Sequence, residues 1–310
     1  MEQNAQLQTA QHILACKVQN KSVKQALFLG LFFCYNKLMT INFLVDFFVP
    51  TSSRILDGYF AVGIFLLGLC IGSFLNCIIY RLEQKKSLSG RSFCPSCNHT
   101  LSWKDLFPVF SYLFLGGKCR YCKKKISFQY PLVEIFTGVV FLSIFLSQFQ
   151  PDKMLDAIFM FYIISVLIII FIYDLKHYLI PDKVLFPAIA VAGLYRILGF
   201  GELSFLSYLF GAIMASGFFF LIFFITRGKG MGFGDVKLAI LMGLLLGAEN
   251  VLVAIFLASF IGTIVGLTLM MLGKKGLKSE IPFAPFLITG TFLAIIFGTQ
   301  IIQWYSHNFV

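Results

Sequence analysis

Residues 230–237 have the sequence GMGFGDVK, a glycine-rich turn that ends in the carboxylate of Asp235 where a long apolar run begins. A carboxylate at the end of a membrane helix is costly to desolvate, so Asp235 is a candidate functional residue. One carboxylate cannot supply both acid and base chemistry. A partner is available at Asp174, where the apolar run of residues 155–173 stops. Two aspartates at the ends of different membrane helices predict an aspartyl protease dyad.

The composition excludes an ordinary soluble domain. The 310 residues are 58% hydrophobic and 13% charged, and a soluble chain of this size has too little interior for so much apolar surface. The excess must contact the lipid bilayer. The formal net charge of +11 does not indicate nucleic-acid binding, because Lys and Arg occupy short segments between apolar runs, as in the cytoplasmic loops of membrane proteins.

Residues 1–54 form an N-terminal extension whose role stays open. Their apolar patch at 26–35 is too short to span a bilayer, and polar residues interrupt the sequence that follows it. Residues 26–49 are therefore compatible with a poor signal anchor, an interfacial helix or an extra span.

The first transmembrane helix is predicted at 55–80, before the one long polar segment, residues 81–130. That segment is strongly basic, so the positive-inside rule places it in the cytoplasm. In the helix, the spacing Gly68-x-x-x-Gly72 lets another helix approach closely, and ordinary helix packing is sufficient to explain it. The remaining apolar runs fall at 131–149, 154–173, 184–200, 204–226, 236–247, 250–272 and 284–304.

The predicted fold is thus an all-α polytopic membrane protein of about eight transmembrane helices with a cytoplasmic loop domain. Successive spans cross the membrane in alternating directions. If residues 81–130 are in the cytoplasm, every second loop after them is also cytoplasmic, and these loops are rich in Lys and Arg. The opposite connections hold little positive charge beyond Lys153 and Arg196. This alternation puts Asp174 and Asp235 at the same, cytoplasmic, membrane face. The run at 236–247 is short, which is compatible with a half helix or a tilted segment.

Four cysteines in the basic loop form two Cys-x-x-Cys pairs, Cys94 with Cys97 and Cys119 with Cys122. Two sulfur pairs on tight turns can close a tetrahedron around zinc, and four thiolates leave no open position for water. We therefore expect structural zinc in a four-cysteine loop domain over residues 81–130. The alternative is two disulfides or free thiols.

Each aspartate also has a purely structural interpretation. Asp174 could be a solvated helix end or a partner of Lys176, and Asp235 is a good helix N-cap. Their placement on one face, with glycines around one of them, favours the catalytic interpretation. Two close carboxylates cannot both ionise freely, so one keeps a proton and acts as an acid while the other acts as a base. Asp182 is an alternative to Asp174 for the catalytic role, and it is ranked lower because it follows Pro181 in the loop.

The glycines of 230–234 and the acid Glu134 each have more than one interpretation. The glycines of 230–234 have the wrong spacing for a dinucleotide-binding motif and no strand precedes them, so they more plausibly let a peptide or a helix approach Asp235. Glu134 lies one turn into the second predicted span, where it either meets a cationic ligand or pairs with a loop Lys. Both alternatives stay open.

Several motifs occur in order along the chain, namely residues 68–76, the two cysteine pairs, and residues 131–138, 174–182, 232–235 and 281–286. In these motifs the chain resembles the type IV prepilin leader peptidases, which are aspartyl proteases and N-methyltransferases of bacterial inner membranes. The resemblance implies that Asp174 and Asp235 are the catalytic pair, Asp235 within the Gly-x-Gly-Asp motif of that family. It also implies cleavage of a basic leader at the cytoplasmic face, followed by methylation of the new N-terminus from S-adenosylmethionine, with Glu134 as a candidate participant.

The sequence departs from that family at Ala284, where the family usually has Gly. Residues 1–50 have no counterpart in it. Because the cysteine loop is present, the chain resembles the form that both cleaves and methylates, and shorter relatives that only cleave lack this loop. Residues 131–310 are then a membrane aspartyl peptidase core.

The predicted substrates are prepilins and pseudopilins of a type IV pilus or a type II secretion system. Three alternatives are a proton-coupled membrane transporter, a peptidase that cleaves without methylating, and a methyltransferase or assembly scaffold whose aspartates are only helix ends. A transporter would place its carboxylates near the bilayer midplane, which the predicted spans disfavour.

Overall fold

The computed structural model describes residues 52–87, 90–148, 154–200, 203–228, 230–273 and 281–309. Within these ranges the chain is almost entirely helical, and two isolated β-bridges in the cysteine loop are the only extended pairings. A single 3-10 turn also lies in that loop, at Trp103–Asp105. The eight α helices are α1 (Ser52–Glu83), α2 (Phe110–Phe114), α3 (Gln129–Gln148), α4 (Met154–His177), α5 (Asp182–Ile197), α6 (Phe205–Thr226), α7 (Phe233–Met271) and α8 (Ala284–Phe309).

The predicted all-α membrane class is confirmed. Six helices are long and apolar enough to cross a membrane, namely α1, α3, α4, α6, α7 and α8. The segment predicted at 184–200 is α5, whose 16 residues extend about 24 Å and fall short of a hydrocarbon core of about 30 Å.

Helix α7 contains both of the spans predicted at 236–247 and 250–272. Its 39 residues would extend about 58 Å as one straight helix, far more than a bilayer requires. The helix breaks at Gly247, which has a φ of 76° and a ψ of 179°. Only glycine adopts such a backbone conformation without strain. The predicted division into two segments is therefore present in the structure.

Arg196 supports this break. The prediction counted it as a charge in a connection, but it lies in the last turn of α5 with 5% of its surface exposed. Its Nε donates to the carbonyl of Leu244 at 3.0 Å, and its Nη2 donates to the carbonyl of Leu245 at 3.0 Å. These carbonyls belong to the turn before Gly247, where the break removes helical donors. The planar guanidinium supplies the missing donors.

Helices α6, α7 and α8 contact one another through their backbones. A Cβ added at Gly243 of α7 would lie 2.3 Å from the Cα of Ala212 on α6. A Cβ added at Gly290 of α8 would lie 2.3 Å from the carbonyl oxygen of Ala254 on α7. Small residues therefore permit this packing, as is common where lipid provides no hydrophobic driving force between helices.

Close packing at glycines also joins α1 to α3. A Cβ at Gly68 would lie 2.7 Å from the Cα of Gly138, and a Cβ at Gly72 would lie 2.7 Å from the Cα of Glu134. The predicted close approach at the Gly68-x-x-x-Gly72 spacing is thus present, and it sets the position of Glu134 against α1.

Helix α4 lies between two hydrophobic clusters. Ile163, Leu167 and Ile170 belong to the cluster formed with α5 to α8. Ile164 and Ile168 belong to a smaller cluster formed with α1 and α3. All five side chains are almost completely buried, so α4 packs against both clusters and connects the two halves of the membrane region.

The contacts within the chain group residues Ala61–Val310 into one compact unit, which contains every site described below. The other unit, Met1–Phe60, is described only from residue 52 onward, where α1 begins. The hypotheses for residues 26–49 fall outside the described residues.

Candidate aspartate pair and metal centre

Asp174 lies in the last turn of α4, because the helix continues to His177 and does not stop at the predicted residue 173. Only 5% of its surface is exposed. Its carboxylate accepts a hydrogen bond from the backbone N–H of Ala284, at the start of α8. Its Oδ2 is buried and has no hydrogen-bond partner among the described residues. Asp174 is therefore not a solvated helix end.

The alternative ion pair between Asp174 and Lys176 is not formed. The Nζ of Lys176 lies 2.9 Å from the Oε1 of Glu83, at the end of α1. The Nε2 of His177 lies 3.5 Å from the same oxygen. The basic residues of the last turn of α4 thus pair with Glu83 of α1. The Asp174 carboxylate is buried and has no ion pair with them.

Asp235 is not the N-cap of its helix. Gly232 occupies that position, and Asp235 is the third residue of α7. Its carboxylate accepts a hydrogen bond from the backbone N–H of Gly232, as the third residue of a capping box does. Asp235 is 8% exposed. The N-cap interpretation was wrong by one helical turn, and the helix starts early enough to bury the carboxylate.

The structure brings the two aspartates together. They are close enough for the charge of Asp174 to act on the carboxylate of Asp235. A Cβ added at Gly234 would lie 3.2 Å from the side chain of Ile180, so this glycine makes room for the segment that follows α4. The expected role of the glycines, to permit close approach, therefore fits Gly234. The partner that approaches is a segment of the same chain.

Asp182 has a different environment from Asp174. It starts α5, half of its side chain is exposed, and it forms an ion pair with Lys237 of α7. This ion pair ties α5 to the first turns of α7, and it gives Asp182 a structural role beside the buried pair.

The hydrogen bond from Ala284 was not predicted. It places the start of α8 against Asp174, and Ala284 is completely buried. The proline-rich segment 281–286 was recognised as a motif, but its contact with an aspartate could not be read from sequence, since it depends on how α8 packs.

Glu134 is buried in α3, with 7% of its surface exposed. The backbone N–H of Val109 donates to its Oε2 at 2.7 Å, and the hydroxyl of Ser73 donates a second hydrogen bond. These contacts replace the loop Lys that was one of its two predicted partners. Val109 has a φ of 61°, which is unusual for a β-branched residue, so the hydrogen bond to Glu134 helps to hold a strained turn.

The four loop cysteines form one cluster, in which all the sulfur atoms lie within 4.8 Å of one another. The Sγ atoms of Cys94 and Cys122 are 3.9 Å apart, far beyond a disulfide bond length of about 2.05 Å, and all four thiols are free. This arrangement can hold a metal ion, and the disulfide alternative is wrong for the residues that the structure describes.

The two cysteine turns have matching backbones. The N–H of Cys94 donates to the carbonyl of His99 at 3.0 Å, and the N–H of Cys119 donates to the carbonyl of Lys124 at 2.9 Å. Directly after each pair the chain enters the left-handed region, at Asn98 with a φ of 55° and at Lys123 with a φ of 57°. Two similar turns thus present their sulfur atoms to a common point. We refer to residues 91–126 as the metal loop.

The electrostatics of the cluster suit a metal. Hydrogen bonds from the backbone N–H groups of Cys122 and Tyr121 lower the pKa of the Cys119 thiol to about 7, although its burial acts in the opposite direction. A thiolate is the form that binds metal ions. The donor set therefore fits a soft or borderline cation.

An acidic brace next to the cluster was missed by sequence reasoning. Burial of Asp105 raises its pKa, but hydrogen bonds from Arg120, Ser102 and Tyr121 outweigh this effect and hold the pKa at about 2. The Nε of Arg120 lies 2.6 Å from Oδ1. The brace ties the 3-10 turn to the second cysteine turn, and the Ser-x-x-Asp spacing of a capping box was the available signal.

Comparison with known proteins identifies two family models in the chain. The Bacterial Peptidase A24 N-terminal domain matches residues 66–148, which contain the metal loop and Glu134. The Type IV leader peptidase family matches residues 160–267, which contain both aspartates.

Curated relatives match over most of the chain, and each is named prepilin leader peptidase/N-methyltransferase. The relative from Bacillus subtilis is 35% identical over 248 residues, 78% of this chain and 96% of that protein. The relative from Aeromonas hydrophila is 30% identical over 281 residues, 81% and 95% of the two chains. The relative from Pseudomonas aeruginosa is 29% identical over 270 residues, 77% and 91%. No solved structure gives a significant match. With both family models and these relatives in agreement, the chain belongs to the type IV leader peptidase family.

Proposed function

We propose that this protein is a membrane aspartic endopeptidase that removes the basic leader of type IV prepilins and pseudopilins, with Asp174 and Asp235 as its catalytic pair. The same chain then methylates the new N-terminus with S-adenosylmethionine. The curated relatives carry both activities in their name, which supports cleavage with methylation over cleavage alone and over proton-coupled transport.

One observation carries the peptidase assignment. Two buried carboxylates from different helices, far apart in sequence, lie close enough to interact, and the Oδ2 of Asp174 has no hydrogen-bond partner in the described structure. Buried polar atoms without partners are rare and are concentrated at functional sites. A water molecule or a substrate group would satisfy this atom.

The proposed chemistry follows from the pair. Two adjacent carboxylates in an apolar setting share one proton, because both cannot carry charge at short range. The charged member takes a proton from water as the water attacks the scissile carbonyl. The protonated member donates to the developing oxyanion and later to the leaving amine. The backbone N–H groups of Ala284 and Gly232 each hold one carboxylate in place.

We infer that both aspartates lie at the cytoplasmic face of the bacterial inner membrane, which also places the metal loop in the cytoplasm. The basic character of residues 81–130 supports this orientation. A leader with positive charge then stays inside while its apolar stem lies in the bilayer, so the scissile bond reaches the interface.

We also infer that the metal is zinc with a structural role, in a loop domain over residues 81–130. Four cysteine ligands whose sulfur atoms all lie within 4.8 Å of one another favour zinc, and they leave no coordination position for a substrate. The peptidase core would then cover residues 131–310, and cleavage would not pass through the metal.

Cleavage of a purified prepilin by the full-length protein in detergent tests the pair. Asp174→Asn and Asp235→Asn are each expected to reduce kcat/KM by about three orders of magnitude or more, because each removes one half of the acid–base pair. Asp182→Asn is the matched control, since it changes an aspartate of the same region that is exposed and bound to Lys237.

The control is expected to change kcat/KM by less than about threefold, as for a surface ion pair. Normal leader removal by either Asp174→Asn or Asp235→Asn would reject the dyad. Equal loss in all three variants would indicate that the region tolerates no change, and it would remove the distinction between Asp174 and Asp182.

A further inference from the structure

An open groove of about 380 Å³ lies on the surface of the metal loop, around the 3-10 turn and α2. Phe114 is 86% exposed and Trp103 is 71% exposed, although both are large apolar side chains. Exposed apolar side chains that cluster in this way mark an interaction surface. We call it the aromatic groove, and the residues of its lining that matter here are Trp103, Phe107, Phe110, Phe114, Lys104 and Arg120.

The contacts of α2 place the groove beside the start of a membrane-spanning helix. Val109, the residue before α2, donates its N–H to Glu134 at 2.7 Å. Glu134 lies about 7.5 Å beyond Gln129, the first residue of α3 and of its apolar span. The ring of Tyr112 packs edge-on against the ring of Phe128, with centroids 6.4 Å apart. Helix α2 is therefore fixed at the end of a membrane span, the level at which lipid headgroups lie.

The aromatic surface of α2 continues into an exposed stripe on α3. Phe128, Leu132 and Phe136 are all exposed, and their spacing of four residues puts them along one side of the helix. Exposed apolar side chains on a spanning helix face the bilayer. Because Phe128 of this stripe contacts Tyr112 of α2, the bilayer that covers the stripe also reaches the groove.

Two cations give the groove a preference for negative charge. The Nζ of Lys104 lies 5.5 Å from the ring centroid of Trp103, and it has no carboxylate partner among the described residues. Arg120 is held in position by Asp105 through its Nε, and nearly half of its side chain remains exposed. The described residues that line the groove include no acid. Basic residues beside a membrane attract anionic headgroups, and Trp is enriched at the same level.

We propose that the aromatic groove binds an anionic phospholipid of the surrounding bilayer and so anchors the metal loop to the membrane surface. The phosphate lies between Lys104 and Arg120, and the upper parts of the acyl chains contact Phe107, Phe110 and Phe114. The same cations would repel the basic leader of the proposed substrate. The proposal goes beyond the proposed function and depends on neither activity, because it concerns only how the loop contacts lipid.

Tryptophan fluorescence tests the contact directly. The chain has two tryptophans, so Trp304→Phe leaves Trp103 as the only one. Full-length protein with this change is placed in phosphatidylcholine nanodiscs that contain lipid brominated near the top of its acyl chains, which quenches tryptophan on contact. Brominated phosphatidylglycerol is expected to quench Trp103 as if enriched about fivefold or more over brominated phosphatidylcholine, the effect of one basic residue near an anionic headgroup. Aqueous iodide is expected to quench Trp103 weakly.

Matched variants in this background separate the groove from the rest of the loop. Lys104→Glu is expected to abolish the preference for phosphatidylglycerol. Lys124→Glu makes the same charge change on the second cysteine turn, at an exposed residue outside the groove, and is expected to keep it. Hydrogen-exchange protection of residues 91–126 shows whether each variant is folded, and Lys104→Gln replaces Lys104→Glu if that variant is not.

A second pair of variants tests the apolar part of the groove. Phe114→Ser is expected to increase quenching of Trp103 by iodide, because it removes apolar surface from the lipid contact. Phe256→Ser changes a phenylalanine of α7 that is exposed to a similar extent, and it is expected to leave iodide quenching unchanged.

Four results would each overturn the proposal. Strong quenching by iodide without quenching by brominated lipid would show that the groove faces water. Protection from both quenchers would show that a second copy or another protein covers it. Equal quenching by the two brominated lipids, or the same loss of preference in Lys104→Glu and Lys124→Glu, would exclude a site for anionic lipid. Loss of lipid quenching when prepilin is added would assign the groove to the substrate.

Discussion

The metal loop and the aspartate core, which comprises α4 to α8, are held together by different interactions. In the loop, two short turns converge on a cluster of sulfur atoms, and Asp105 braces them through side-chain hydrogen bonds. In the core, glycines let helix backbones touch, and the two candidate carboxylates come from helix ends. Local geometry therefore organises the loop, whereas packing over long distances in sequence organises the core.

This difference has a consequence for stability. The loop has little hydrophobic core of its own, so a metal bound at the cysteine cluster would supply much of its folding free energy. The core buries many large apolar side chains, so packing between helices holds it together. The two regions should therefore respond independently to perturbation.

Metal removal should have the largest effect and should unfold only the loop. We expect chelation, or the double change Cys97→Ser and Cys122→Ser, to abolish hydrogen-exchange protection of residues 91–126. Structural zinc sites contribute about 10 kcal/mol or more to small folds. Mass spectrometry of exchanged peptides should show protection in α4 to α8 unchanged. Comparable loss of protection in the core would show that the two regions fold as one.

A methyl group added at Gly243 should destabilise the core and leave the loop unchanged. Its Cβ would lie 2.3 Å from the Cα of Ala212, a backbone atom that cannot move aside without separating α6 from α7. We expect Gly243→Ala to reduce the free energy of unfolding by about 3 kcal/mol, the upper range for overpacking. Unfolding monitored in detergent, with metal content measured in parallel, checks this value.

Gly266→Ala is the matched control, because Gly266 lies in the same helix and a Cβ there meets nothing within 4 Å. This change should leave stability unchanged or raise it by up to about 1 kcal/mol, the usual gain of alanine over glycine in a helix. Similar losses in both variants would contradict the role assigned to backbone contact between α6 and α7.

The smallest effect is expected within the loop itself, at its two left-handed positions. Lys123 and Asn98 occupy equivalent left-handed positions, but only asparagine tolerates that conformation well. We expect Lys123→Gly to stabilise the metal-bound loop by about 1 kcal/mol, equivalent to about fivefold tighter metal binding in competition with a chelator. Asn98→Gly should change the affinity much less, and an equal gain in both would contradict this assignment.

Much of the loop could be predicted because its signal is local. The spacing of Cys94, Cys97, Cys119 and Cys122 defines two turns, and turn geometry brings each pair together whatever the rest of the chain does. The brace at Asp105 was not anticipated, since its partners Arg120 and Tyr121 come from the second turn and meet it only after folding.

The ends of the core helices were harder to predict from the sequence. Hydrophobicity stops at residue 173, yet α4 continues to His177, because Lys176 and His177 bind Glu83 of another helix. The N-cap of α7 is Gly232, although Asp235 is the stronger capping residue by type. At α4 a tertiary contact extends the helix, whereas at α7 the Asp235 carboxylate accepts a hydrogen bond from the backbone N–H of Gly232 within the first turn.

By itself, the sequence determined the membrane class, the positions of the apolar segments and the identity of the acids and thiols, because composition, periodicity and spacing are properties of the linear chain. Only the tertiary structure decided that Asp174 and Asp235 are buried together while Asp182 binds Lys237. It also decided that Glu134 faces a cavity and that Arg196 supports the break at Gly247. These outcomes depend on which helices touch, and helix contact is set by the shapes of surfaces brought together from distant parts of the chain.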